Sequence, residues 1–303
     1  MAEPLRVLLT GATGFIGRRL APALVEEGCE VRAMTRRPEE YDGAGTPVAG
    51  DVFDADSLVE PLAGCDVAVY LVHSLDDPDF ERKDAEAART FARAAADAGV
   101  RQIVYMGGLG EDDGDLSPHL RSRREVEALL GETGIPVTVL RAAIVVGAGG
   151  ISWELTRQLV KNLPGMVVPR WVSTPTQPVA LDDVIRYLAG VTGNEAAFGR
   201  VFEIGGPEAM TYLEMLQVAA EVITGHRVPI LQVPVLTPRL SSYWLALVTD
   251  VDVTTGRNLI DSMGTPVTVT DRSILEVVPG ETVPYAEAVR RALEDDPASR
   301  PTP

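Results

Sequence analysis

Residues 10 to 17 read Thr10-Gly11-Ala12-Thr13-Gly14-Phe15-Ile16-Gly17, between the apolar run Leu5 to Leu9 and the helical pattern Arg18 to Val25. A strand, a three-glycine turn and a helix, in that order, constrain this chain more than any other feature. Gly11 permits the tight turn, Gly14 lets the backbone approach a pyrophosphate, and Gly17 lets the helix pack against the strand. Phe15 and Ile16 complete the turn, and the helix N-terminus faces the anion. A glycine-rich turn can also merely connect two elements; the flanking strand and helix favour the dinucleotide reading.

At 303 residues the chain can bury a substantial core, as one large or two intimate domains. Cys29 and Cys65 are its only cysteines and show no paired-ligand spacing, so no metal site is expected. No leader sequence is evident and the apolar stretches Val67–Val72 and Ile135–Leu140 are strand length, which makes a soluble cytoplasmic protein without a transmembrane segment the expectation. The net charge of -17 disfavours nucleic acid, whose binding depends on phosphate neutralisation. The acidity and the scarcity of lysine (Lys83 and Lys161 alone) fit either salt adaptation or a GC-rich genome.

Strand and helix patterns alternate through the first half: strands at 5–9, 30–34, 67–72, 102–106 and 137–140, and helices from Gly14, near 55–62, at 80–98 and at 120–130. Such alternation predicts a doubly wound α/β Rossmann fold, a parallel sheet covered on both faces. Gly28, Gly64, Gly99 and Gly134 stand where helices should end. The alanine-rich stretch 80–98 reads as close helix-to-sheet packing. After Gly147 glycine and proline punctuate the chain, marking a smaller C-terminal lobe. The expected division is a nucleotide-binding domain over 1–148, to which 178–206 returns, and a substrate lobe making up most of 149–303. In the returning segment, Asp182 or Asp183 is expected to cap a helix and 201–204 to form one more strand.

The glycine turn, Gly50-Asp51-Val52, Val104-Tyr105-Met106-Gly107-Gly108 and the 178–183 segment together resemble the short-chain dehydrogenase/reductase superfamily across nearly the whole chain. Tyr70-Leu71-Val72-His73-Ser74, Pro118-His119-Leu120-Arg121-Ser122-Arg123 and Arg141 to Gly149 resemble its atypical, NmrA-like branch. The resemblance implies a cofactor cradle: Thr13 within the turn, Asp51 and Val52 beside the adenine, and Leu71, Val72 and His73 beside the nicotinamide ribose. It also implies Gly107 at the floor and Ala143 and Ile144 over the nicotinamide. Asp51 has an alternative reading as a turn cap.

Arg36 and Arg37 end the second strand, where an NAD site usually places an acid for the ribose hydroxyl. Guanidinium can fork onto a 2'-phosphate, so NADP(H) is favoured over NAD(H); a solvated basic pair is the alternative. The catalytic tyrosine and lysine of the superfamily are absent. At their register stand His119 and Arg123, and the serine position at the fifth strand holds Gly107-Gly108. His119 is then the candidate general acid, with an ordinary pKa of about 6.5, or a neutral donor if the guanidinium lowers that value. Arg123 would hold the ribose, and His73 shares the same predicted rim.

The expected function is an NADP(H)-dependent oxidoreductase that transfers hydride to a small carbonyl, enone, imine or quinone-like substrate. The alternative is an NADP(H)-binding redox sensor or assembly factor without turnover, in which His119 is only a helix-start residue. Trp153, Arg170 and Trp171 fall where relatives close over the substrate, and would suit a planar or anionic compound; packing within the small lobe is the competing role. The apolar segment Ser241 to Val248 could line that pocket, touch a membrane surface or support a homodimer.

Overall fold

A computed structural model describes residues 3–75, 77–110, 116–163, 165–168, 170–232 and 263–296, apart from the side chains of Val167, Arg170 and Trp171. In chain order the first ten elements are β1 (Arg6–Leu9), α1 (Gly17–Glu26), β2 (Glu30–Thr35), β3 (Thr46–Ala49), α2 (Ala55–Leu62), β4 (Val67–Tyr70), α3 (Phe80–Asp97), β5 (Gln102–Gly108), α4 (Pro118–Gly131) and β6 (Val137–Ala142). They are followed by β7 (Val145–Val146), α5 (Ile151–Asn162), β8 (Met166–Val168), β9 (Pro175–Thr176), β10 (Val179–Ala180), α6 (Leu181–Val191) and β11 (Val201–Ile204). The last are β12 (Met210–Thr211), α7 (Tyr212–Thr224), β13 (Ile230–Gln232), α8 (Ile274–Val277) and α9 (Tyr285–Glu294).

Seven strands join in the order β11-β6-β5-β4-β1-β2-β3, every pair parallel. The chain fills one side of β1 with β2 and β3 and then crosses to β4 on the other. This reversal opens a crevice at the carboxyl ends of β1 and β4, where ligands bind in open sheets of this kind. The apolar alternation passes over β3 because Thr46, Pro47 and Ala49 are exposed there; an edge strand tolerates the proline, which would break a ladder at the centre.

Both sheet faces are covered. One carries α1 and α6 over Val7, Leu9, Val69 and Leu140. The other carries α2, α3 and α4 over Leu8, Ala68, Tyr70 and Ile103. Ala85, Ala88, Ala92 and Ala95 are all buried on α3, so side chains no longer than a methyl let it approach the sheet, and Phe91 fills the remaining depth. Gly28, Gly64, Gly99 and Gly134 all take positive φ just past helix ends, as their positions predict.

A second core gathers β7, α5, α7 and α9 around Trp153, Met215, Ala219 and Val289. In the returning segment, Val179, Val184, Leu188, Phe202 and Ile204 pack with α1 in the first core, alongside Ile274 and Val278 from farther on. The expected cap of α6 is corrected here: Ala180 occupies that position, and Asp182 and Asp183 lie in the first turn. Buried Asp183 instead accepts from Val283 N at 2.8 Å and from Arg186 at 3.1 Å. Gln177 adds a clasp, donating to Gly206 O at 2.6 Å and accepting from Val269 N at 3.0 Å. No helix among the described residues is long and apolar enough to cross a membrane. The segment Ser241 to Val248 lies outside the described residues.

Candidate functional site

Thr10 splices the ends of β1 and β4: its hydroxyl donates to Val69 O and accepts from Leu71 N, each at 3.1 Å. The turn that follows is shaped by missing side chains. Gly11 adopts φ 65° with its α-carbon against the Leu71 backbone. A Cβ on Gly17 would lie 2.2 Å from Gly11 O, closer than any side chain can come. The first turn of α1 has no side-chain cap and no acid, so no carboxylate there offsets the positive end of its dipole, although Arg18 N and Arg19 N already donate to Gly14 O and Ile16 O at 3.1 and 3.0 Å.

The turn opens onto a groove of about 870 Å³, within the range of about 300–1,000 Å³ usual for small-molecule sites. Gly11, Thr13 and Gly14 form its base, Arg36, Arg37, Asp51 and Val52 one end, and Leu71, Val72 and His73 the other. The backbone, the volume and the uncapped helix fit a dinucleotide. Of the remaining turn residues, Phe15 packs beside Gly150 under the Arg19 guanidinium, Ile16 against the first core, and Gly17 lies buried.

The two arginines differ. Arg37 is paired with Glu40 at 3.0 Å, whereas Arg36 has no ion pair or side-chain hydrogen bond among the described residues. Asp51 does cap its turn, its Oδ1 accepting from Phe53 N at 3.0 Å, while Oδ2 has no partner among the described residues. Sequence reasoning missed Arg18 and Phe53, which also line the groove; Phe53 is 42% exposed, an unusual solvation for a phenyl ring. An aromatic directly after Gly50-Asp51-Val52 was the available signal.

At the inner end, α4 begins at Pro118 with Ser117 as its cap, Leu120 N donating to Ser117 Oγ at 3.3 Å. His119 therefore sits in the first helical turn, partly buried. Burial, then the Arg123 guanidinium one turn on, then nearby His73 push its pKa down to about 3. This corrects the expectation of a histidine titrating near its ordinary value: desolvation and positive neighbours keep the ring neutral at physiological pH. His226, by contrast, is exposed beyond the end of α7.

Arg123 is 9% exposed and has no carboxylate within 4.0 Å among the described residues. Its carbonyl accepts from Tyr105 Oη at 3.3 Å, which ties α4 to β5. Gly107 lies buried at the end of β5, and Ala143 and Ile144 follow β6, with Ile144 O accepting from Val179 N at 2.9 Å. These three and His119 and Arg123 are not part of the groove wall itself. Among the substrate candidates, Trp153 is 1% exposed and belongs to the core of the second lobe, where its apolar neighbours leave Nε1 without a partner among the described residues. That position makes it packing and not pocket wall. Arg170 and Trp171 open a short 3-10 turn, and their side chains lie outside the described residues.

The N-terminal half of α3 also contributes, contrary to the reading of this helix as packing alone. Arg82, Lys83 and Glu86 line the groove, with Lys83 ion-paired to Asp77 and Arg82 bridging Asp79 and Glu86 at 2.7 and 3.1 Å. On the buried face of the same helix, Asp84 is 4% exposed. An acid four residues after Phe80 and seven before Phe91, on the apolar stripe, was the signal for it. No group of three metal-ligating side chains comes together among the described residues.

The NAD(P)H-binding family model matches residues 11–171. A (4-alkanoyl-5-oxo-2,5-dihydrofuran-3-yl)methyl phosphate reductase of Streptomyces griseus is 31% identical over 229 residues, covering 72% of this chain and 73% of its own. Among solved structures, Citrobacter triphenylmethane reductase complexed with NADP(H) superposes with TM-score 0.79 at 19% identity, covering 95% of this chain and all of its own. An NADPH-dependent quinone oxidoreductase of Escherichia coli gives TM-score 0.78 at 21% identity, over 94% and 98% of the two chains. The solved structures share the fold, and the family match over residues 11–171 with the Streptomyces reductase makes the chain a member of the NAD(P)H-binding, NmrA-like branch of the short-chain dehydrogenase/reductases.

Proposed function

We propose that this protein is a cytoplasmic NADP(H)-dependent reductase that passes hydride to a small, electron-poor acceptor such as a quinone, enone, imine or activated carbonyl. The observation that supports the reading is a groove whose base is the glycine turn and whose wall includes His73, with His119 and Arg123 near enough behind that wall for their electrostatics to be linked to it. The reductases it resembles act, by their names, on an oxo-dihydrofuran phosphate, a triphenylmethane and a quinone.

When bound, the dihydronicotinamide supplies hydride; everything else falls to the chain. Gly11, Gly14 and the start of α1 would hold the pyrophosphate, and unpaired Arg36 would hold the 2'-phosphate, which favours NADP(H). Asp51 Oδ2 is left to accept from the adenine amine. Arg123 holds the ribose hydroxyls. His119, neutral, donates a hydrogen bond to the acceptor oxygen or nitrogen and stabilises the negative charge that grows there, as a preorganised donor does without giving up its proton. Burial and its positive neighbours keep the imidazole neutral at pH 7, so the proton that completes the product comes from solvent. Acceptors that tolerate weak acid assistance are therefore preferred over simple ketones.

The test is a spectrophotometric screen of the purified protein with NADPH and a panel of quinones, enones, aldehydes and imines. Loss of NADPH absorbance with at least one acceptor, abolished in His119→Ala, is expected. Tight NADPH binding with no oxidation by any acceptor would replace the reductase with a redox sensor.

A further inference from the structure

Asp84 is a buried carboxylate with no arginine or lysine within salt-bridge distance among the described residues. Its Oδ1 accepts from Ser74 N at 2.8 Å, and Ser74 itself lines the groove next to His73. Its Oδ2 faces Ser122 Oγ at 3.5 Å, on α4 beside Arg123. Burial pushes its pKa up, while the Arg123 charge, the Ser74 amide and the Ser122 hydroxyl all favour the anion. Such a group is costly to bury for packing alone, and a hydrophobic residue on this face of α3 would serve the core better.

We propose that Asp84 is the counter-charge for hydride transfer, one hydrogen bond behind the groove wall, which offsets Arg123 as the nicotinamide ring turns from neutral to cationic. The proposal rests on the reductase reading above. Hydride leaves the ring with its electron pair and reduces the acceptor, which takes a proton from solvent; the ring is oxidised and gains one positive charge. Arg123 alone would oppose that charge in a site of low dielectric. The Asp84 carboxylate cancels it, and being held by Ser74 and Ser122 it needs no rearrangement as the charge appears. Asp84 acts through its field and through the loop it fastens, so it is a positioning residue.

The oxidised and reduced cofactors differ by that one charge, so binding alone reads the effect. Dissociation constants of NADP+ and NADPH are measured by calorimetry for the wild-type protein, Asp84→Asn and Ser122→Ala. In Asp84→Asn, NADP+ affinity should fall about tenfold, the order expected for loss of one unit charge in partly buried surroundings, with NADPH affinity changed less than about threefold. Ser122→Ala should shift the ratio in the same direction by less, and keeps the test alive if Asp84→Asn does not fold. A packing role would weaken both cofactors together; that result, or an unchanged ratio, overturns the proposal. Wild-type protein that binds neither cofactor would instead refute the underlying reductase reading.

Discussion

The base and the inner end of the groove are built by different means. At the base the backbone does the work: Gly11 at positive φ, Gly17 with no room for a Cβ, and a helix start without a side-chain cap make a shape that few sequences can adopt. At the inner end the backbone is ordinary, and everything depends on which side chains meet: His119, Arg123 and His73, with Asp84 behind them. Backbone recognition tolerates almost no substitution and says little about the reaction. Side-chain chemistry can be exchanged within the same frame while the cradle persists.

The contrast can be broken at several points. Gly17→Val should have the largest effect, a loss of NADPH binding of more than about 100-fold or outright misfolding, because even the first added carbon meets Gly11 O at 2.2 Å. Calorimetric titration measures the first and circular dichroism the second; binding within tenfold of wild type would mean the turn is more plastic than described. His119→Ala should leave binding intact and reduce turnover about 100-fold, the size of one lost preorganised donor. Its converse is a rate independent of pH between about 5 and 8 as far as His119 is concerned, measured under saturating NADPH. Arg36→Asp should move the ratio of NADPH to NADH affinity by about tenfold toward NADH, and equal ratios before and after would remove the 2'-phosphate role.

Smaller effects belong to stability. His119 has a folded pKa of about 3, below its unfolded value of about 6.5, so protonation favours the unfolded chain. The stability tied to this is fully present above pH 6.5 and falls as the pH drops toward 3, by at most about 1.4 kcal/mol per pH unit. Asp84, whose pKa is raised, works in the opposite sense. Urea unfolding of wild type against His119→Gln from pH 7 to 4.5 isolates the histidine: the difference should shrink, and then change sign, as the pH falls. Trp153→Phe should matter least, within about 1 kcal/mol of wild type, because it removes a buried donor that has no partner among the described residues. A loss of more than about 3 kcal/mol would show that the indole nitrogen is satisfied after all.

The sequence made the base readable because its constraints are local. Three glycines at fixed spacing, a strand before and a helix after are all carried within residues 5–25. The sheet was readable for a related reason, since strands buried on both faces leave unbroken apolar runs; β3, an exposed edge, left none. The inner end was only half readable. His119 and Arg123 could be placed by register with a family, but the depression of the histidine depends on burial and on His73, 46 residues away in the chain. Asp84 is marked in the sequence only as an acid on the apolar stripe of α3, and its partners Ser74 and Ser122 lie 10 and 38 residues from it. Trp153 misled in the other direction, since an aromatic in a variable lobe suits a pocket wall or a core equally until packing decides.

The Gln177 clasp bears on how the polypeptide comes off the ribosome. The edge of the sheet beyond β6 is completed by β11, and Val269 N reaches Gln177 across 92 residues. A nascent chain that has emerged only through residue 171 already contains the whole stretch that matches the family, yet β6 still exposes a bare edge and the surfaces for Phe202 and Ile204 are uncovered. Synthesis must therefore run about thirty residues past residue 171 before β11 covers that edge, and about a hundred before Val269 fastens the clasp. During that interval the bare edge is open to chaperones and to mispairing, and fragments cut near residue 171 should aggregate where the full chain folds.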